Sequence, residues 1–190
     1  MARPKSEDKQ KAILNAAVLE IAEHGVSAPT ARIAKIAGVA EGSLFTYFSN
    51  KDELLNHLYL YLKEELRESM MSDYPKAETV KNRIKHAWEK YVAWGIKNPS
   101  KRIVLAKLGM SNRVSEQTKA LGLDAFSDVV KMIQESTANG LLRDYPFDFV
   151  CAIMGSLADT SMDFIVGEPA KAEYYTNAGF EAFWNAVAND

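Results

Sequence analysis

The sequence predicts an all-α protein of about nine helices, because apolar residues recur at intervals of three and four along most of the chain, the period of an amphipathic helix. Helix-forming residues dominate, and no alternating apolar and polar run is long enough for a half-buried strand. Gly25, Gly38, Tyr74-Pro75, Asn98-Pro99, Asn139-Gly140 and Gly167 fall at the ends of the periodic stretches, where helices stop.

The first helix carries Ile13, Leu14, Ala17, Val18 and Ile21 on one face and stops at Gly25, just after His24. A short second helix runs from about Pro29 to Ala37, with Ile33, Ile36 and Ala37 inward, Pro29 tolerated in its first turn and Ser27 as its cap. In AGVAEGSLFTYF, Gly38 supplies a tight turn, and Leu44, Phe45 and Phe48 form the buried side of a third helix. Asn50 caps a long fourth helix, and Glu53 three residues on completes a capping box. Its stripe is Leu54, Leu58, Leu62, Leu66 and Met70, widened by Leu55 and Tyr59, until Tyr74-Pro75 breaks it. The fifth helix carries Val80, Ile84, Trp88, Tyr91 and Gly95 and stops near Asn98-Pro99; a short sixth follows. The seventh carries Phe126, Val129, Val130 and Ile133 and ends at Asn139-Gly140. The eighth carries Val150, Ile153, Met154, Leu157, Ser161 and Phe164 before Gly167, and the ninth spans roughly Pro169 to Ala188.

Three short helices with a glycine turn between the second and third make a helix-turn-helix, whose recognition helix enters the major groove of double-stranded DNA. With its apolar residues turned inward, EGSLFTYF leaves Glu41, Gly42, Ser43, Thr46 and Tyr47 for DNA. Small Gly42 and Ser43 permit close approach to base edges, and Tyr47 offers a hydroxyl to a phosphate. Glu41 has two readings: a carboxylate favoured by the helix dipole, or an acceptor for a cytosine amino group. Arg3 and Lys5 also have two: grips on phosphate or minor groove, or a solvated tail.

The segment IAKIAGVAEGSLFTYFSNKDELL resembles the DNA-binding domain of the TetR family of bacterial regulators. The likeness fixes Ile33, Ala34, Ala37-Gly38-Val39, Gly42, Leu44, Phe45, Tyr47-Phe48, Lys51 and Leu54 in one register. It implies that Tyr47 and Lys51 hold phosphates and that positions 41–43 and 46 read bases. Two places depart from the family pattern. Ala40, where the family often has Ser or Thr, cannot accept a capping hydrogen bond, and Ala28 and Pro29 replace phosphate-touching hydroxyls and leave Thr30 as the candidate there. The implied organisation is a DNA-binding domain over residues 1–51 and an effector-binding, dimerising domain over residues 52–190. MARPKSEDK, YVAWG, TSMDF and GFEAFW add a similarity to RamR-like repressors of multidrug efflux, which implies a broad aromatic pocket.

The ninth helix has two apolar sides: Phe180, Trp184 and Val187 on one, and Tyr175, Gly179, Ala182 and Ala186 on another. One side suits its own chain and the other a partner, and the resemblance implies a homodimer through the last two helices. A two-fold dimer places its recognition helices about one DNA turn, ~34–36 Å, or a multiple apart, and so requires a near-palindromic operator. Asp159 and Asp163 stand four apart on the eighth helix with no Lys or Arg within four residues. They have three readings: solvent exposure, a basic partner from another helix, or recognition of a cationic small-molecule effector with aromatic help from Tyr59, Trp94, Phe126 or Phe164.

Net charge is −2, unevenly shared: residues 1–51 hold seven Lys and Arg against five Asp and Glu. DNA binding needs only such a local basic footprint. The single Cys151 cannot form an internal disulfide and suits a reducing cytoplasm. The polar start of the chain does not read as a signal peptide, and no run approaches the ~20 apolar residues of a membrane span. His24, His57 and His86 are scattered, and neither a Gly-rich phosphate loop nor a nucleophile-base pair is present, so the expectation is a non-enzyme without cofactor or metal. The rival reading is a chromosome-organising DNA-binding dimer on the same scaffold.

Overall fold

The computed structural model describes residues 6–189. Among them are ten α-helices and no strand: α1 (Glu7–His24), α2 (Thr30–Ile36), α3 (Glu41–Tyr47), α4 (Lys51–Met71), α5 (Val80–Lys97), α6 (Pro99–Gly109), α7 (Glu116–Asp124), α8 (Ser127–Ala138), α9 (Phe147–Gly167) and α10 (Ala172–Val187). The tenth helix arises because the short sixth helix expected from the sequence is in fact two. Ser115 restarts the chain, its Oγ accepting from the Thr118 N–H at 3.1 Å, a cap on α7. A single 3-10 turn, Pro169–Lys171, precedes α10, so the last helix starts later than the sequence suggests.

Packing divides the chain into two compact units. The first joins the residues up to Glu64 to Pro99–Asp124. Its core is built from Ile13, Ala17 and Ile21 of α1, Ile33 and Ala34 of α2, Leu44 and Phe48, Leu54, Leu58 and Leu62 of α4, and Val104 and Leu108 of α6. Two residues expected inside lie outside: Ile36 is 47% exposed and Phe45 is 41% exposed. The cause is helical phase. At about 100° per residue, Ile33, Ala34 and Ala37 already fill the narrow inward face of α2, and Phe45 lies one residue off the Leu44 direction in α3. Ser27 is not the cap of α2; Pro29 is, and its carbonyl accepts from the Arg32 N–H at 3.1 Å.

The turn between α2 and α3 depends on Gly38, whose φ of 67° is a left-handed conformation that costs a side chain energy. The Gly38 N–H donates to Lys35 O at 3.2 Å and the Val39 N–H to Ala34 O at 3.0 Å, the pair of bonds that defines a Schellman stop. Glu20, buried in α1, meets the Arg32 Nε of α2 at 3.0 Å. Lys107 of α6 donates to the Ala22 and Ile21 carbonyls at 2.8 and 3.3 Å, satisfying acceptors at the end of α1.

The second unit joins Glu65–Asn98 to the residues from Ala125 onward, with α9 packed on α5, α8 and α10. Trp88 of α5 is fully buried at its centre, stacked on Phe183 with ring centroids 5.9 Å apart and tilted against Phe180 at 6.3 Å. Its Nε1 donates to Thr176 O at 2.9 Å. Gly179 makes this packing possible: a Cβ there would overlap Ser161 Oγ and come within 2.8 Å of the Trp88 ring. The chain end is held by a bridge between Leu142 and Ala188 and by the Arg143 N–H donating to Val187 O at 2.8 Å.

Contrary to the sequence expectation, α9 is long and apolar enough to cross a membrane by length and composition alone, with a mean hydropathy of 1.5 over its most apolar window. Only 28% of that window is buried within the chain. Its buried residues are Val150, Ala158, Ser161, Met162 and Ile165; Phe164, expected on that stripe, is 55% exposed because it precedes Ile165 by one residue and so points about 100° away.

Candidate nucleic-acid interface

The recognition helix α3 presents Glu41, Gly42, Ser43, Phe45 and Thr46 to the outside, while Tyr47 is half-buried. Three of its polar groups are engaged within the protein. The Thr30 hydroxyl donates to Glu41 Oε1 at 2.8 Å, joining the starts of α2 and α3. Thr46 Oγ1 donates to Gly42 O at 3.4 Å, and the Tyr47 hydroxyl accepts from the Ser6 N–H at 3.4 Å. Glu41 therefore has an intramolecular partner that neither sequence reading anticipated, and Thr30 shares that bond. Arg3 and Lys5 lie outside the described residues. Phe45, missed because its apolar character placed it inside, adds an aromatic flank beside Gly42; its exposure suits contact with a thymine methyl.

The start of α4 is fixed by a capping box, displaced by one residue. Asn50 Oδ1 accepts from the Glu53 N–H at 2.9 Å, and Glu53 Oε2 accepts from the Ser49 N–H at 2.6 Å and from the Ser49 hydroxyl. Asn50→Ala is expected to cost about 1 kcal/mol of stability, measured by urea unfolding. Lys51 follows the cap. Its ammonium is held below the usual lysine range by desolvation first and by the nearby Arg113 guanidinium second, with the Asp52 carboxylate acting in the opposite sense. Arg113 was not foreseen, because it lies 61 residues beyond its partner Asp52 in sequence.

The other candidates are dispersed. Tyr59 is buried in the first core, and burial with the Glu116 carboxylate pushes its phenol pKa up; Gly122 of α7 is what lets the chain lie against its ring. Trp94 is buried in the second unit and donates to Glu65 Oε1 at 3.3 Å. Asp159 is half-buried, and Asp163 and Phe164 are exposed on α9. Phe126 lines a cavity of about 300 Å³ with Arg67, Met71, Tyr74, Lys76 and Asp128. An adjoining one of about 220 Å³ adds Arg83, whose guanidinium lies 5.5 Å from the Tyr74 ring centre, with Met132 and Glu135. On α10, Tyr175 donates to Glu168 Oε1 at 2.6 Å and packs on Phe164, Ala182 is exposed, Ala186 is half-buried, and Gly179 faces its own chain's Trp88 and Ser161.

Residues 13–58 match the model of bacterial regulatory proteins of the tetR family. The chain is 36% identical over 77 residues to the fatty acid metabolism regulator protein of Bacillus subtilis (strain 168), a match that spans 40% of each chain. It aligns with a solved chain from Shewanella sp. PV-4, assigned to the TetR-family transcription regulators, at a TM-score of 0.84 and 26% identity, covering 96% of this chain and 99% of that one. The transcriptional regulator FadR from Bacillus subtilis, solved in complex with stearoyl-CoA, aligns at a TM-score of 0.69 and 22% identity, covering 91% of this chain and 96% of that one. The chain thus carries a TetR-family helix-turn-helix domain near its N-terminus, on the fold of the TetR-family regulators.

Proposed function

We propose that this chain is a cytoplasmic, ligand-responsive transcriptional repressor that binds a near-palindromic operator as a homodimer and leaves it when a small molecule binds. The observation that carries this reading is the open face of α3: Gly42, Ser43, Phe45 and Thr46 stand clear on a helix whose other side is locked by Leu44. Thr30, Glu41, Tyr47 and Lys51 complete the surface toward DNA. Residues 1–51 serve as the reading head and residues 52–190 as the dimerising and sensing part. The strongly apolar α9, only 28% buried over its most apolar stretch, supports the dimer, because exposed Phe149, Phe164 and Val166 favour burial against a second copy. Tyr175, Ala182 and Ala186 of α10 line the same proposed interface, with Gly179 shaping it from behind.

Two effector chemistries follow from different residues. Arg67, Lys76, Arg83 and Lys131 around the adjoining cavities outnumber the acidic Asp128 and Glu135, and with Tyr74 and Phe126 they favour an anionic amphiphile. The stearoyl-CoA held by the Bacillus FadR is of that class. Asp159, Asp163 and Phe164 on α9 support the second reading, a cationic amphiphile and a role in efflux control.

The test is selection of duplexes from a randomised pool by the full chain, followed by gel-shift of the winners with stearoyl-CoA and with a quaternary ammonium amphiphile. Release by stearoyl-CoA alone supports the anionic effector, release by the ammonium alone the cationic one, and release by neither overturns both. Replacing the operator's thymines singly by deoxyuridine is expected to weaken binding at one position per half-site through loss of a methyl beside Phe45. No loss at any position removes that contact. Genome-wide mapping that finds many dispersed sites rather than a few promoters would favour chromosome organisation instead.

A further inference from the structure

The loop between α6 and α7 is built onto the first turns of α4. The Asn56 side chain grips it from both sides: its Nδ2 donates to Arg113 O at 3.1 Å and its Oδ1 accepts from the Ser115 N–H at 3.0 Å. The Arg113 N–H donates to Ser111 Oγ at 3.1 Å, and Val114 is buried in the first core. With its backbone so placed, Arg113 donates through Nε to Asp52 Oδ1 at 2.6 Å. Asp52 directly follows Lys51, so one carboxylate is flanked by two cations on the turn that begins four residues after Tyr47.

Arg113 acts on Lys51 across this turn: after desolvation, repulsion between the two cations is what holds the Lys51 ammonium below the usual lysine range. A phosphate between them would remove that repulsion. The guanidinium fork is suited to this, because Nε is spent on Asp52 while the two terminal nitrogens retain donors for phosphate oxygens. Asp52 then acts as the group that aims the fork.

We infer that Arg113 is an operator-phosphate ligand that shares one phosphate with Lys51, so that the DNA-contacting surface extends beyond the helix-turn-helix into the α6–α7 loop. This rests on the DNA-binding reading above. A phosphate contact positions the protein without reading sequence, and its loss weakens binding to all duplexes alike.

The test uses the full chain and duplexes selected by the wild type from a randomised pool, with affinity followed by fluorescence anisotropy as KCl rises. In the double variant Lys51→Gln/Arg113→Gln, the slope of log affinity against log salt is expected to fall by about 0.9 for each shared phosphate, and in Arg113→Gln alone by less, because Lys51 still neutralises that phosphate. Selected and scrambled duplexes should lose affinity by the same factor. Arg113→Lys keeps the charge and should keep the slope. The double variant Lys51→Gln/Arg113→Gln should lose less than the product of the two single losses, the mark of a shared phosphate. A double variant whose slope falls no further than that of Lys51→Gln alone would make Arg113 a positioning residue and overturn the inference, as would strictly multiplicative losses in the double variant. If the wild type enriches no duplex at all, the DNA-binding reading itself fails, and a failure of that kind is separate from those two.

Discussion

Trp88→Ala is expected to lower stability by about 3–5 kcal/mol, or roughly 6–20 °C in Tm for a chain of this size. Trp88 has no exposed surface, and its ring is enclosed by Phe180 and Phe183. Truncation leaves a cavity between three helices and takes the donor away from Thr176 O. The neighbours cannot easily close that space, because α9 and α10 already touch through Gly179 and Ser161. Near-UV circular dichroism during a thermal melt checks the result. A loss below about 1.5 kcal/mol would mean that the site collapses, against the close packing described. Because α5, α9 and α10 form the core behind the proposed partner-facing surface, sedimentation should also show weaker self-association.

Phe48→Ala is the counterpart in the first unit, with an expected cost of about 3–5 kcal/mol. Phe48 is fully buried where α3 gives way to extended backbone, and it makes an edge contact with His57 at 5.5 Å. Its N–H donates to Leu44 O at 3.1 Å, so the ring anchors the last turn of a helix only seven residues long. A helix that short has no independent stability. The expected result is loss of selective DNA binding at temperatures where self-association persists. A variant that still binds the selected duplex with wild-type affinity would mean that α3 is held by Leu44 alone.

What could be read from the residues before folding was whatever depends on near neighbours. Gly38, Gly25 and the Asn50–Glu53 cap are local, and each was visible. The apolar period located most helices, including the long α4. It failed at Ile36, Phe45 and Phe164, where apolar character alone does not say which side of the helix is covered. It also overlooked Ser115-x-x-Thr118, a legible cap that separates α6 from α7. Contacts between distant segments left no local trace: Arg113 with Asp52, Lys107 on the end of α1, and Trp88 against Gly179. Each pairs residues from about 60 to 90 positions apart, a distance at which no spacing rule operates.

The position of α6 bears on how such a protein can be taken apart and rebuilt. Val104 and Leu108 belong to the same core as Ile13, Ala17 and Ile21, and Lys107 answers carbonyls that α1 cannot satisfy alone. A chimera made by grafting the first 51 residues onto a foreign sensor would leave that side of α1 bare unless the recipient supplies an equivalent of α6. The portable piece is discontinuous, and a transplant between chains of this fold must move α6 and its loop along with α3, or else exchange only the outward residues of α3.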